Sequence, residues 1–301
     1  MKLFDASVLK GAIDIHIHVG PDYSPRYADA ITLAEEARDA GMRAIVIKCH
    51  LQSTIMAAQA ANQVVPEVQT IGTISLNDTT GGLSPRAVMA AVKSGVKAIW
   101  LPTVDSKWAM EKGKKGHWIG HYTNGSSFGF DEDREWLTVL DEDGNLKPEV
   151  KKIADICKEY NVVLCSGHIG PEECIVLSEY TKSIGFDQLE ITHANDWYED
   201  FNLDVLKKLA ENGAMISLAF GGLAPHNGRQ DPEELVEIIN GVGADHCIMM
   251  TDYGQVNAPS PAQGLRTFYY LMKKYGISEP DLRKMICSNP AKLFKLSSEE
   301  E

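Results

Sequence analysis

The chain has 301 residues, enough for two small domains or one large α/β domain, and its 44% hydrophobic and 24% charged content is that of a soluble globular protein. A formal net charge of −13 at pH 7 argues against binding nucleic acid or an anionic membrane through overall charge. No apolar run approaches membrane-spanning length, the first residues lack a signal-peptide core, and the six cysteines show no disulfide-like spacing, so we expect a reduced, cytoplasmic protein.

The first predicted strand covers residues 14–18 and carries two histidines. In an extended strand, residues two apart share a face, so His16 and His18 point the same way. Ile15 and Ile17 then point the opposite way, towards an apolar layer. Two imidazoles at the end of a buried strand are costly unless something binds them, and a divalent metal binds them well. The alternative is a pair of ordinary histidines on the wet face of a sheet.

Along the rest of the chain, apolar strands alternate with helical patterns. With the first strand included, strands are predicted at residues 14–18, 44–50, 70–76, 98–101, 162–168, 189–193, 215–220 and 247–252. Helices are predicted at residues 28–40, 53–61, 84–95, 148–160, 171–185, 203–212, from 231 onwards, and at 261–275, 281–287 and 290–296. Some helix starts combine a capping residue with a following proline, as in Ser84-Pro85 and Asp231-Pro232.

The alternation breaks between Val104 and about Lys147. This long stretch is polar and contains glycine, but aromatic residues are spread through it: Trp108, Trp118, Tyr122, Phe128, Phe130 and Trp136. Loops of this length inside a compact domain are usually functional lids or disordered insertions. The aromatic content favours an ordered lid over the mouth of the site, with a small hairpin around Asp143-Gly144 at its far edge.

Eight strands, each followed by a helix or by a loop and a helix, predict an α/β fold of the (β/α)8 TIM-barrel type, with residues 1–301 as a single domain. In this prediction, residues 104–147 are an insertion after strand 4, and the last two helices are a short C-terminal extension. A doubly wound open sheet is the alternative. It is disfavoured because no glycine-rich phosphate loop follows the first strand.

Histidine and aspartate side chains stand at the carboxyl ends of several predicted strands. They end strands 1, 2, 5, 6 and 8, and they are His16, His18, His50, His168, His193 and Asp252. In a barrel these ends surround one mouth, so residues far apart in sequence meet there. Neutral imidazole and carboxylate are a normal ligand set for zinc and for related metals such as manganese, iron or cobalt. The sequence therefore predicts a divalent-metal site at the mouth, with zinc as the first choice.

This pattern of strand ends resembles the metal-site signature of the amidohydrolase superfamily. The segment 288–294, which reads Ser-Asn-Pro-Ala-Lys-Leu-Phe, is also similar to the Asn-Pro-Ala segment that ends many of its members. What the resemblance implies is a metal-activated water that attacks a C–N, C–O or P–O bond. By the same resemblance His193 binds a second metal or polarises the substrate, and the metal ligands are His16, His18, His168 and Asp252.

The chain departs from the superfamily pattern at strands 3 and 4. Two-metal members usually carry a bridging lysine or glutamate there, whereas these strands end in Leu-Asn-Asp at 76–78 and Leu-Pro-Thr-Val-Asp at 101–105. One firmly held metal is therefore expected. Lys48 is the complication, because Lys48 and His50 share a face and project into the mouth. Lys48 could be modified into a bridging ligand, bind an anionic substrate, or pair with a carboxylate.

Two further side chains have expected roles. Arg26 follows strand 1 and could clamp a carboxylate or phosphate of the substrate, or form an exposed ion pair instead. Asp252 is the expected general base, because a strand-8 carboxylate can contact the metal with one oxygen and the attacking water with the other. His193 is the rival for that role.

Three functional hypotheses follow. In each of them the protein binds a small molecule, and each is compatible with a homo-oligomeric protein. The leading one is a metal-dependent hydrolase of a small polar amide, lactone, ester or deamination-type C–N bond. The second keeps the barrel and the metal but changes the reaction to decarboxylation or phosphoester hydrolysis. The third is a barrel that keeps a metal for stability or ligand sensing only. Intact strand-end ligands argue against it, since structural sites close their coordination sphere with protein ligands.

Overall fold

Eight parallel strands follow one another around a barrel in chain order. A computed structural model describes residues 5–116, 135–196, 199–224 and 230–297. Within these ranges the strands are β1 Ile13–His18, β2 Ala44–Lys48, β3 Gln69–Ser75, β4 Ala98–Trp100, β5 Val163–Cys165, β6 Leu189–Ile191, β7 Met215–Ala219 and β8 Cys247–Met250. Just past β8, the N–H of Asp252 donates to the carbonyl of His16 (3.0 Å), which brings the last strand back to the first. The predicted (β/α)8 TIM barrel is confirmed.

Helices on the outside of the barrel connect the strands. They are α1 Ala30–Asp39, α2 Ile55–Val64, α3 Pro85–Lys93, α4 Lys107–Gly116, α5 Pro148–Tyr160, α6 Pro171–Ser183, α7 Leu203–Glu211, α8 Pro232–Val242, α9 Pro261–Lys274, α10 Glu279–Arg283 and α11 Asn289–Leu293. The predicted caps are present, since Ser84 Oγ accepts from the N–H of Ala87 (3.3 Å) and Asp231 Oδ1 accepts from that of Glu233 (3.1 Å). In the described ranges, no helix has the length and apolar character needed to cross a membrane.

The stretch 104–147 contains a helix that the sequence does not predict. Its polar, glycine-containing sequence predicts a lid without a helix, but α4 forms there and places Trp108 against Gly170, where an added Cβ would lie 2.7 Å from the indole ring. Tertiary packing of this kind stabilises helices of low intrinsic propensity. Residues 117–134 lie outside the described ranges, and with them that part of the expected lid. At the far edge, Leu140 and Leu146 form an antiparallel bridge where the sequence predicts the hairpin.

The buried core has two parts, one inside the barrel and one between the strands and the helices. Ile17 packs in the outer part, as predicted, but Ile15 belongs to the inner part with residues such as Trp100. The prediction that the two isoleucines share a face is therefore wrong. The reason is a shift in the pairing register of β1 with β2 between Asp14 and Ile17, which changes which side chains face inward.

The C-terminal extension covers the amino-terminal end of the barrel. Leu293 and Phe294 join the buried cluster inside the barrel, and the side-chain amide of Gln188, just before β6, donates to the carbonyl of Leu293 (2.8 Å). The amide of Asn289 donates to the carbonyl of Cys247 at the start of β8 (2.7 Å). With that end covered, a site is expected at the carboxyl-terminal mouth.

Candidate metal centre

Five imidazoles form a closed ring at the carboxyl-terminal mouth. The centroids of adjacent rings lie 4.8 to 5.7 Å apart around the circuit His16, His18, His50, His168 and His193. All five side chains are buried. Three of these histidines lie two or three residues beyond their strands, as does Asp252 beyond β8. The predicted strands 2, 5, 6 and 8 are thus too long, because the backbone turns out of the ladder where these side chains enter the mouth.

One part of the ring, the strand-1 cluster, consists of His16, His18 and Asp252. Oδ1 of Asp252 lies 3.2 Å from Nε2 of His16 and 3.0 Å from Nε2 of His18. Burial lowers the pKa of His18 to about 4 and the pKa of His16 well below its usual value, so both rings are neutral at pH 7. Burial raises the pKa of Asp252, but the close contacts with Nε2 of His16 and His18, including the hydrogen bond with His18, stabilise the carboxylate and hold its pKa well below its usual range.

Another group, the strand-6 cluster, consists of His168, His193 and Glu199, with Asp196 beside it. Nδ1 of His193 lies 3.3 Å from Oε1 of Glu199 and 3.8 Å from Oδ2 of Asp196. Burial lowers the pKa of His193 to about 3, and burial together with the charge of Asp196 raises the pKa of Glu199 well above its usual value. Donor atoms of His168, His193 and Glu199 all lie within 4.8 Å of one another, as do those of the strand-1 cluster. Each cluster therefore brings together enough donors to hold a metal ion.

The sequence prediction includes His168 and His193 but misses Glu199 and Asp196. These acids lie in the loop after β6, where no strand periodicity indicates which side chains turn back towards the mouth. The available signal is the closeness of several acidic residues to a strand-end histidine, in the run from His193 to Asp200. Such a run is usually a solvated surface, whereas here Glu199 is only 1% exposed.

Lys48 is buried in the barrel beside the strand-1 cluster. Its Nζ lies 3.1 Å from Nε2 of His16 and 5.3 Å from the centroid of the Trp100 ring. Burial lowers the pKa of Lys48 to about 8. Within the described ranges, Lys48 forms no ion pair with a carboxylate, so its direct polar contact is with an imidazole. The contacts of Lys48 therefore do not include the ion pair with a carboxylate, which is one of its three expected roles.

His50 is held by hydrogen bonds from the neighbouring strand ends. Its Nδ1 lies 2.8 Å from Oγ1 of Thr103, and the amide nitrogen of Asn77 donates to the same hydroxyl and to the carbonyl of His50, both at 2.7 Å. Asn77 in turn accepts from the N–H of Thr103 (2.9 Å). These contacts fix the imidazole of His50 in the ring. Asn77 and Thr103 follow β3 and β4, where the superfamily pattern has its bridging residue.

Arg26 forms a buried ion pair instead of the exposed one that the sequence allows. Its Nη2 lies 2.5 Å from Oδ2 of Asp22, and both side chains are 2% exposed. Asp22 also accepts from the thiol of Cys49 (3.3 Å). The charge of Arg26 reaches the site, because after burial it is the largest influence that lowers the pKa of His18.

Asp14, to which the sequence assigns no role, connects β1 to the loop that carries Asp252. Its Oδ1 accepts from the N–H groups of His16 and Thr251, both at 3.2 Å, and its Oδ2 accepts from the hydroxyl of Thr251 at 2.5 Å. Burial raises the pKa of Asp14 to about 7. The backbone of Asp252 (φ 54°) and that of His193 (φ 32°) lie in the left-handed region. Non-glycine residues adopt this backbone conformation at a free-energy cost, which contacts with surrounding residues must offset. Such residues occur most often at functional sites.

Gly167 allows the end of β5 to pass close to the end of β4. Its φ is +63°, and an added Cβ would lie 2.4 Å from the carbonyl oxygen of Leu101. The next residue, His168, donates its N–H to the carbonyl of Pro102 (3.0 Å). The close approach therefore positions an imidazole of the ring.

We expect Gly167→Ala to destabilise the fold by about 1–3 kcal/mol, because the backbone of β4 or β5 must move to make room for the methyl group. Denaturant unfolding of the metal-free protein measures this. Gly185→Ala is the matched control, since its φ is also positive (+67°) but nothing lies within 4 Å of its added Cβ. Equal losses in the two variants would assign the effect to φ alone.

Comparisons with known proteins bear on the fold and on the family. A model described as a family of unknown function (DUF6282) matches residues 11–217. A sequence search of curated proteins gives no match.

Solved structures match nearly the whole chain. An amidohydrolase from Pseudomonas aeruginosa is 13% identical with a TM-score of 0.65, over 96% of this chain and 97% of that one. A dipeptidase described as a metallo peptidase is 13% identical with a TM-score of 0.61, over 95% and 98%. A 2,6-dihydroxybenzoate decarboxylase from Rhizobium is 12% identical with a TM-score of 0.53, over 96% and 99%. The chain therefore shares its TIM-barrel fold with an amidohydrolase, a metallo peptidase and a decarboxylase.

Proposed function

The chain belongs to the family of unknown function DUF6282, and we propose that it is a metal-dependent hydrolase that cleaves an amide, lactone, ester or deamination-type C–N bond of a small polar molecule. The observation that carries the proposal is the buried imidazole ring, which has carboxyl groups on two of its sides. The donor set fits a divalent metal, because the lowered pKa values of the imidazoles leave their lone pairs available and the carboxyls supply negative charge. Zinc is the first choice, and manganese, iron and cobalt suit the same ligands.

The proposed ligands are the residues of the two clusters. They are His16, His18, His168, His193 and Asp252, joined by Glu199. When bound, a divalent metal at this mouth supplies a Lewis acid that polarises the scissile bond and lowers the pKa of water. His50 points into the same ring from β2 and is proposed to contact the substrate, held in place by Thr103.

Asp252 is the proposed general base, which takes the proton from the attacking water. Its side chain is 18% exposed, whereas those of His16, His18 and His193 are 0%, 3% and 1% exposed. A base must come within hydrogen-bond reach of the water from which it takes the proton. The carboxyl of Asp252 is thus more accessible from the mouth than the rival imidazole of His193.

Decarboxylation is the second candidate function. The observation that favours it is the buried amine of Lys48 beside His16, which could pair with the carboxylate of a substrate. Hydrolysis is preferred because Asp252 offers an accessible base for water, which decarboxylation does not require.

The test is a panel of amide, lactone, phosphoester and carboxylate substrates, assayed after chelation and again after metal is restored. We expect turnover of an amide or lactone that disappears on chelation and returns with zinc, manganese or cobalt. Turnover of carboxylates alone would replace hydrolysis with decarboxylation. Firm metal binding without turnover of any substrate would leave a metal-stabilised barrel, and turnover that survives complete metal removal would contradict the proposal.

We also propose a cytoplasmic location. All six cysteines are free thiols, and five of them are buried. Such thiols persist in a reducing compartment, where structural disulfides are rare.

A further inference from the structure

We infer that the two clusters load in a fixed order, in which the strand-6 cluster binds the first divalent cation and Lys48 holds the strand-1 cluster back. The inference rests on the proposed function in one respect only, namely that the mouth binds a divalent cation. It assigns Glu199 as a ligand, and it assigns Lys48 as the residue that limits firm binding to one equivalent.

The first observation is that Nε2 of His16 is already engaged. It lies 3.1 Å from Nζ of Lys48 and 3.2 Å from Oδ1 of Asp252. An imidazole nitrogen has either one proton or one lone pair to offer. A cation that His16 binds through Nε2 must therefore displace Lys48 from this nitrogen.

The second observation is the balance of charged groups. The strand-1 cluster has one carboxyl, Asp252, with the amine of Lys48 close by, so a divalent cation there meets a positive neighbour. The strand-6 cluster has the carboxyl of Glu199, and Asp196 lies beside it; these carboxyls lie 3.3 and 3.8 Å from Nδ1 of His193. Asp196 is also within reach of Asp252, so it adds negative charge between the two clusters. A divalent cation in the strand-6 cluster would relieve the repulsion between these buried carboxyls, whereas in the strand-1 cluster it meets the positive charge of Lys48.

The third observation concerns Glu199 itself. It is 1% exposed, and its Oε1, although 3.3 Å from Nδ1 of His193, makes no hydrogen bond within the described ranges. A buried carboxyl oxygen without a hydrogen bond is costly, and coordination of a cation removes that cost. His168 and His193 place two imidazoles within reach of the same point.

Together these observations give a physical account of the expected single firm metal. Strands 3 and 4 lack the usual bridging residue, but the loop after β6 supplies carboxyls that the strand pattern does not indicate. Binding of the first cation then depends on Glu199. Binding of the second cation depends on moving the amine of Lys48 away from His16.

The experiment is a titration of metal-free protein with zinc in the presence of a competing chelator, followed by calorimetry and elemental analysis. We expect one tight equivalent in the native protein, and a loss of more than 100-fold in its affinity in Glu199→Gln, beyond the 10–100-fold typical of a residue that only supports a ligand. In Lys48→Met a second tight equivalent should appear, with the first unchanged. Glu190→Gln is the matched control, because Glu190 is fully buried inside the barrel but outside both clusters, and it should keep the first affinity.

Anomalous scattering from crystals grown with one equivalent of zinc locates the first cation without any variant, so the test survives a variant that fails to fold. A peak beside Glu199 and His168 supports the inference. A peak among His16, His18 and Asp252, or two tight equivalents in the native protein, would overturn it, as would an unchanged stoichiometry in well-folded Lys48→Met. Absence of any metal binding would instead remove the proposed function itself.

Discussion

Asp252→Asn is expected to lower turnover by about 10²–10⁴-fold, the range typical of a lost general base, while the protein keeps its first metal. Asparagine has the size of aspartate and retains one oxygen where Oδ1 accepts from His18 (3.0 Å). It cannot take a proton from water at neutral pH. The metal should stay, because we infer that the first cation binds His168, His193 and Glu199 and not Asp252.

Turnover and metal content must be measured on the same preparation, with the best substrate of the panel. The matched control is Asp245→Asn, which makes the same change at a carboxyl whose side chain is 75% exposed and paired with Lys284. Near-normal turnover in Asp252→Asn would assign the base role to His193. Loss of the metal together with activity would leave Asp252 as a ligand only.

The strands of the barrel were predictable because their buried faces dominate their sequences. In β2 and β8, apolar residues run almost without interruption, as in strands covered on both sides. Between the strands, capping residues such as Ser84 mark where helices begin. Register was not predictable. The shift in β1 that turns Ile15 inward depends on its pairing with β2, a contact between residues about thirty positions apart.

The candidate site was predictable to the extent that its side chains stand at strand ends. His168 and His193 follow the buried strands β5 and β6 within two or three residues, so their convergence follows from barrel geometry. Glu199 was not predictable, because it returns to the mouth from a loop. The sequence predicts that Lys48 and His16 both lie at the mouth of the barrel. It does not predict that their side chains are in contact, since a long lysine side chain has many rotamers.

Asp14 is the residue whose removal should cost the fold most among those near the site. Three donors converge on its carboxyl, the N–H groups of His16 and Thr251 and the hydroxyl of Thr251. All lie in the interior, where water cannot replace the lost acceptor. Each buried donor left without a partner costs about 1–3 kcal/mol, so we expect Asp14→Ala to lower the free energy of unfolding by about 3 kcal/mol or more.

Asp14→Asn is the matched comparison, because its carbonyl oxygen can still accept from both backbone N–H groups while the hydroxyl of Thr251 turns to accept from the new amide. We expect Asp14→Asn to lower the free energy of unfolding by only about 1 kcal/mol, the net contribution of a typical hydrogen bond. Urea unfolding in excess chelator measures both variants without a contribution from bound metal. The alanine variant should also lose activity with metal restored, since Asp14 binds Thr251, which immediately precedes Asp252. Equal stability in the two variants would show that the carboxyl of Asp14 does not carry the connection between β1 and β8.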